Sequence, residues 1–201
     1  RMTRWDTVAV LAITTGAVIP LRAEPLPCLR DVAGVTWVRW EQEQTTLDRW
    51  CKSVGPPVFT PRPERDGEIS RLLIVSWNVH VGGADVEELF AKALDARSSN
   101  DTGIIILMQE AFRAGADVPD SFPGDLDVPS SIRPRRPTLD IVGIAERFRM
   151  SIAYVPSMRN GSATALESRE ERGNAIVSTE TLSDVRAIEL PFGKQRRVAV
   201  A

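Results

Sequence analysis

At 201 residues, 43% hydrophobic and 26% charged, the chain has an ordinary globular composition, long enough for one domain with an appendage but not for two full enzymes. A net charge of −2 excludes a strongly basic protein that grips nucleic acid by charge alone. One histidine, His80, and two cysteines, Cys28 and Cys51, are too few for a Cys/His zinc site, so any metal must rest on oxygen ligands, which suit Mg2+, Mn2+ or Ca2+.

The chain opens on an apolar stretch, residues 7–21 (TVAVLAITTGAVIPL), behind Arg4 and ahead of Arg22-Ala23-Glu24. This pattern reads as a secretory signal peptide over residues 1–23 with cleavage after Ala23; a membrane anchor and a buried core segment are the other readings. Export would make the product secreted or periplasmic, or hold it at the membrane. In such an oxidising setting an even cysteine count favours a disulfide between Cys28 and Cys51.

Residues 24–68 read as a Trp- and Pro-rich extension and linker. Trp37, Trp40 and Trp50 carry no catalytic spacing and are expected to pack the extension against the domain behind it. Pro56-Pro57 and then Pro61-Arg62-Pro63 make a stiff connector, which places the start of the main domain at residue 69, so that this domain covers residues 69–201.

Residues 72–76 (LLIVS) form a short apolar run that fits a buried strand. Asp85, with Glu88 three residues on, opens a helix whose apolar face holds Val86, Leu89, Phe90 and Leu94. A second buried strand follows at residues 104–108. Strand, helix and strand at this spacing imply a crossover with both strands in one sheet. After a Pro-rich loop, Thr138 is placed to cap a helix over residues 139–150. Residues 151–156, 174–179, 182–190 and 197–201 read as further strands, so the class is α/β with several strands contributed late. The alternation at the C-terminus reads as a strand in mid-run, in a domain that continues.

Chemistry is expected at two strand ends: Ser76-Trp77-Asn78-Val79-His80, and Gln109-Glu110. The crossover brings these ends to one sheet edge, where an amide oxygen from Asn78 and a carboxylate from Glu110 together suit a hard divalent cation.

Three segments, LLIVSWNVHVGG, IIILMQEAFRAG and ERGNAIVSTETLSDVRAIELPFGKQRRVAVA, resemble in order the opening motifs of the endonuclease/exonuclease/phosphatase superfamily, the deoxyribonuclease I-like fold. The resemblance implies a four-layer α/β architecture, a two-sheet β-sandwich flanked by helices, with residues 69–201 as its N-terminal part and the C-terminal half missing. It also implies divalent-metal-dependent hydrolysis of phosphate esters by in-line attack of water, with Mg2+ as the usual metal and Mn2+ or Ca2+ as substitutes. Under it Asn78 and Glu110 match metal-site residues. Arg113 faces a substrate phosphate or is solvated or salt-bridged, Tyr154 corresponds to a phosphate-contacting tyrosine, and Asn174 in the GNAIVS segment supports the site floor or contacts phosphate. His80 has no counterpart in the family pattern and reads as a structural or second-layer residue. The family's Asp-x-Asn motif and terminal Asp-His pair, which supply the general base and the catalytic histidine, have no match here, and Asp140 and Asp184 do not replace them.

The function implied is a fragment of an exported phosphoesterase (phosphodiesterase, nuclease or sphingomyelinase-like), inactive by itself. Its substrate would be nucleic acid, phospholipid or a small phosphate ester, and no obligate protein partner is expected. The competing reading is a noncatalytic secreted binding module that uses the Trp-rich extension and the loop bearing Arg133, Arg135 and Arg136.

Overall fold

The computed structural model describes residues 27–30, 32–39, 44–62, 67–81, 84–97, 99–121, 123, 126, 140–160, 169–191, 193 and 195–201. The apolar leader, Trp40 and the arginines at 133, 135 and 136 lie outside these residues. In chain order the elements are β1 (Val35–Val38), α1 (Gln44–Cys51), β2 (Val58–Thr60), β3 (Arg71–Asn78), α2 (Val86–Asp95), β4 (Thr102–Ala114), α3 (Ile141–Arg147), β5 (Ser151–Arg159), β6 (Glu170–Ser178), β7 (Val185–Leu190) and β8 (Arg197–Val200).

The strands form two mixed sheets, one of five strands in the order β2, β5, β6, β4, β3 and one of three in the order β1, β7, β8. β3 and β4 are parallel neighbours, as a crossover through α2 requires. The Asp85 carboxylate caps α2 by accepting from Glu88 N at 2.9 Å, which satisfies one of the free amides of the first turn. The later helix is shorter than residues 139–150. It runs Ile141–Arg147 with Asp140 as its cap, and Arg149 at φ 54° turns the chain toward β5. Thr138 and Leu139 lie outside the described residues.

One face of the large sheet carries the main core. Ile104, Ile106 and Met108 of β4, Ile152 and Tyr154 of β5, and Ala175 and Val177 of β6 pack with Phe90 of α2 and with Ile141 and Ile144 of α3. Each large apolar side chain so buried contributes about 1.5–3 kcal/mol. On the other face Val155 of β5 packs with Ala187 of β7 and Val198 of β8.

The described residues between 27 and 62 are part of this architecture. β2 pairs antiparallel with β5, Val58 opposite Tyr154, and β1 pairs parallel with β7, Trp37 opposite Ala187. The proline connector therefore joins the two edge strands of the large sheet, β2 and β3, within one folded unit. Cys28 and Cys51 are disulfide-bonded with Cα atoms 4.9 Å apart. The bond fastens the turn at Pro27–Leu29 to α1, where Leu29, Leu47 and Val54 bury it.

The small sheet covers only part of the second face. β8 lies against β5 and β6, whereas Leu72 and Ile74 on edge strand β3 are 50% and 58% exposed. Their neighbour Ile105, opposite Ile74, is only partly buried. An exposed apolar edge of this kind favours association between chains. Ile74→Lys is expected to change stability by no more than about 0.5 kcal/mol and to lower self-association, read by light scattering across a concentration series. Unchanged scattering would clear this edge of blame.

Candidate functional site

β3 ends at Asn78, but β4 runs on to Ala114, so Gln109 and Glu110 lie inside that strand and not at its end as the sequence suggests; the parallel register still sets Glu110 one position beyond the residue that faces Asn78. Asn78, the last residue of β3, stands opposite Gln109 in the β3/β4 register, and Val79 N donates to Gln109 O at 3.0 Å. The Asn78 side-chain oxygen accepts from His80 N at 2.9 Å, an Asx turn that steers the chain off the sheet. His80 and Val81 then take φ of 51° and 56°.

On β4 the pairing with β6 slips between Met108 and Ala111. This β-bulge holds Gln109 and Glu110, and Glu110 sits at φ 55°. Bulges re-aim side chains, and positive φ in a residue with a Cβ costs on the order of 1–3 kcal/mol at each position. Three such positions, at His80, Val81 and Glu110, meet at one edge of one sheet. The Glu110 carboxylate is partly buried and makes no hydrogen bond or ion pair among the described residues.

Opposite the bulge, Gly173 of β6 pairs with Ala111 on one side and Pro156 on the other. A Cβ there would lie 2.1 Å from the Val155 carbonyl oxygen and 2.9 Å from Pro156 Cα. β5 carries its own irregularity between Pro156 and Met158, so both neighbours of Gly173 are distorted where it lets them close in.

The other expected site residues are placed differently. Arg113 lies within β4 and is buried. It donates to Glu171 at 2.6 Å and to both oxygens of Asp117 at 2.6 and 2.5 Å, so its fork is committed to structure. Burial opposes its charge, yet the Glu171 and Asp117 carboxylates outweigh that and keep it firmly protonated. Tyr154 is fully buried beneath the sheet and out of reach of a surface phosphate. Burial first, and the Glu171 charge second, hold its phenol well above the ordinary value, so it does not ionise. Asn174 donates through Nδ2 to Val198 O at 2.7 Å, tying β6 to β8 and linking the two sheets. His80 is exposed beside Asn78. Asp140 is used as a helix cap, accepting from Gly143 N at 2.8 Å.

Glu110 and Asn78 carry oxygen atoms of the kind a hard cation takes. Among the described residues no group of three or more His, Cys, Asp or Glu side chains gathers to hold a metal, so the fit rests on one carboxylate and one amide. Sequence reading passed over Arg172, which looks like one more charge in the polar start of a strand. Its charge is opposed by burial and supported by Glu110. Two of the tryptophans expected to pack an extension are built into the fold, Trp50 fully buried and Trp37 partly so, which leaves neither as an open aromatic platform. Comparison of the chain with protein-family models, with characterised proteins and with solved structures finds no match.

Proposed function

We propose that this chain forms the metal-binding part of an exported, divalent-metal-dependent phosphoesterase with a deoxyribonuclease I-like fold, acting on a phosphate ester of nucleic acid, phospholipid or a small molecule. The observation that carries this reading is the bulge at Gln109 and Glu110. It spends backbone strain to present a carboxylate that has no hydrogen-bond partner among the described residues, one position along β4 from the residue that faces Asn78, and such strain tends to be kept where a ligand needs it. The two mixed sheets, the parallel β3/β4 pair and the order of the three motifs agree with it.

In this reading Glu110 and Asn78 would hold Mg2+, which supplies charge compensation on the phosphoryl oxygens and leaving group. Asn78 positions its oxygen through the turn it makes with His80 N, and Glu110 provides the negative charge. The proton acceptor for water is not among the described residues assigned to the site.

Glu110→Gln keeps shape and removes charge. In the enzyme so proposed, Mg2+-dependent hydrolysis of a chromogenic phosphodiester is expected to fall at least about tenfold, 1.4 kcal/mol in transition-state terms. Mg2+ affinity by calorimetry is expected to weaken with it. Undiminished turnover with unchanged Mg2+ affinity would remove Glu110 from the site.

A further inference from the structure

Arg172 is the buried arginine whose bonding stands out among the described residues. Arg113 is paired to two carboxylates. Arg196 is paired to Glu189 through two nitrogens, and Arg159 donates to backbone carbonyls of Ser53 and Pro119. Arg172 is 8% exposed and its side chain makes no hydrogen bond among the described residues, with Nε shut off from solvent and without a partner there. Removing a guanidinium from water costs several kcal/mol per ion unless its donors are satisfied.

Its location says what would satisfy them. Arg172 stands opposite Phe112 on β4 and Met158 on β5, one residue from Gly173 and close to both bulges. The charged group acting on it is Glu110. Apolar neighbours exclude water, and the planar fork offers parallel donors that match the oxygens of a tetrahedral oxyanion.

We propose that Arg172 is a phosphate-binding residue, its guanidinium donating to non-bridging oxygens of a phosphate ester held at the Asn78 and Glu110 edge. This rests on the phosphoesterase reading for the choice of anion. Glu110 serves as the counter-charge while the site is empty. When a divalent cation engages Glu110, the guanidinium is left for the phosphate, so phosphate affinity rises with Mg2+.

The test titrates inorganic phosphate and dimethyl phosphate into the whole chain, with and without Mg2+, by calorimetry. Wild type is compared with Arg172→Met, Arg172→Lys and, as a control, the exposed Arg186→Met. Loss of a two-donor contact is expected to weaken binding at least tenfold in Arg172→Met, less in Arg172→Lys, and not at all in the control. Whichever probe shows the loss tells a monoester site from a diester site. In the wild type, the Arg172 Nε–H resonance is expected to shift as phosphate saturates, a readout that needs no variant to fold. Affinity within twofold of wild type in Arg172→Met, or an unmoved Nε–H resonance at saturation, would overturn the assignment. Absence of binding to wild type at tens of millimolar would overturn it too. If Arg172 binds phosphate but Glu110→Gln leaves Mg2+ affinity unchanged, the metal reading falls and the anion site stands. If Glu110 is required and Arg172→Met binds phosphate normally, the anion site alone falls.

Discussion

Gly173→Ala is expected to cost about 3 kcal/mol of folding stability, the upper part of the range for overpacking a filled interior. The added methyl would lie 2.1 Å from Val155 O and 2.9 Å from both Pro156 Cα and Tyr154 Cζ. Two of these three atoms belong to the backbone of β5, which side-chain rotation cannot move. Relief requires β5 to part from β6, and that separation breaks ladder hydrogen bonds on both sides of Gly173. Gly103 provides the contrast, because a Cβ there meets only side-chain atoms of Glu180, Ile69 and Leu72, all at 3.2 Å. Gly103→Ala is expected to stay within about 1 kcal/mol of wild type, since small shifts of those side chains offset the loss of chain freedom in the unfolded state. Urea unfolding of both variants decides the matter. A Gly173→Ala protein with the wild-type midpoint would mean that β5 and β6 approach less closely than described.

The contrast between these glycines bears on what a sequence can reveal. β3, α2 and β4 were legible because their signals are local: an apolar run, an acidic cap with helical spacing, and a second apolar run after Gly103. Asn78 was placed in the same way, since the polar residue after the first run does end β3, but Gln109 and Glu110 do not end β4, which passes through a bulge and continues to Ala114. β1 and β2 were not legible. They have four and three residues, and their pairing with β7 and β5 comes from residues far along the chain, so the prolines around β2 read as a linker. Of the readings open for Arg113 the salt-bridged one holds, but its buried partner could not be read from the sequence. Its partner Glu171 lies 58 positions away, and nothing near either residue announces a buried ion pair. The bulge that separates Glu110 from an ordinary strand residue leaves no mark in the sequence at all, because it is set by the register of β4 against β6. Tyr154 shows the limit of motif reasoning from the other side: the strand is where the motif puts it, but its pleat turns the ring inward.

Breaking the Arg196 and Glu189 pair is expected to cost about 3–5 kcal/mol in either single variant, Arg196→Met or Glu189→Leu, because each leaves a charged group buried without its counter-ion. Both side chains are fully buried. Arg196 donates Nε to one Glu189 oxygen at 2.8 Å and Nη2 to the other at 2.7 Å, which satisfies the carboxylate in a two-point contact. Nη1 reaches Pro156 O at 3.0 Å, and the guanidinium lies 5.6 Å from the centre of the Trp37 ring. One side chain therefore joins β7, β1 and β5, the place where the small sheet is fastened to the large one. If the pair were chiefly a source of stability, removing both partners would cost as much as removing one. Desolvation argues otherwise, since two charges taken from water recover in mutual attraction little more than they lose. The double variant Arg196→Met with Glu189→Leu is thus expected to regain most of the single-variant loss. It should fall short of wild type by about 1 kcal/mol for the hydrogen bond that Pro156 O no longer receives. A double-mutant cycle in urea reads the coupling directly. Additive losses would show two independent contributions in place of a pair. Single variants within about 0.5 kcal/mol of wild type, the range of ordinary surface changes, would show that water reaches this joint and that the sheets are held together by Val155, Ala187 and Val198 without it.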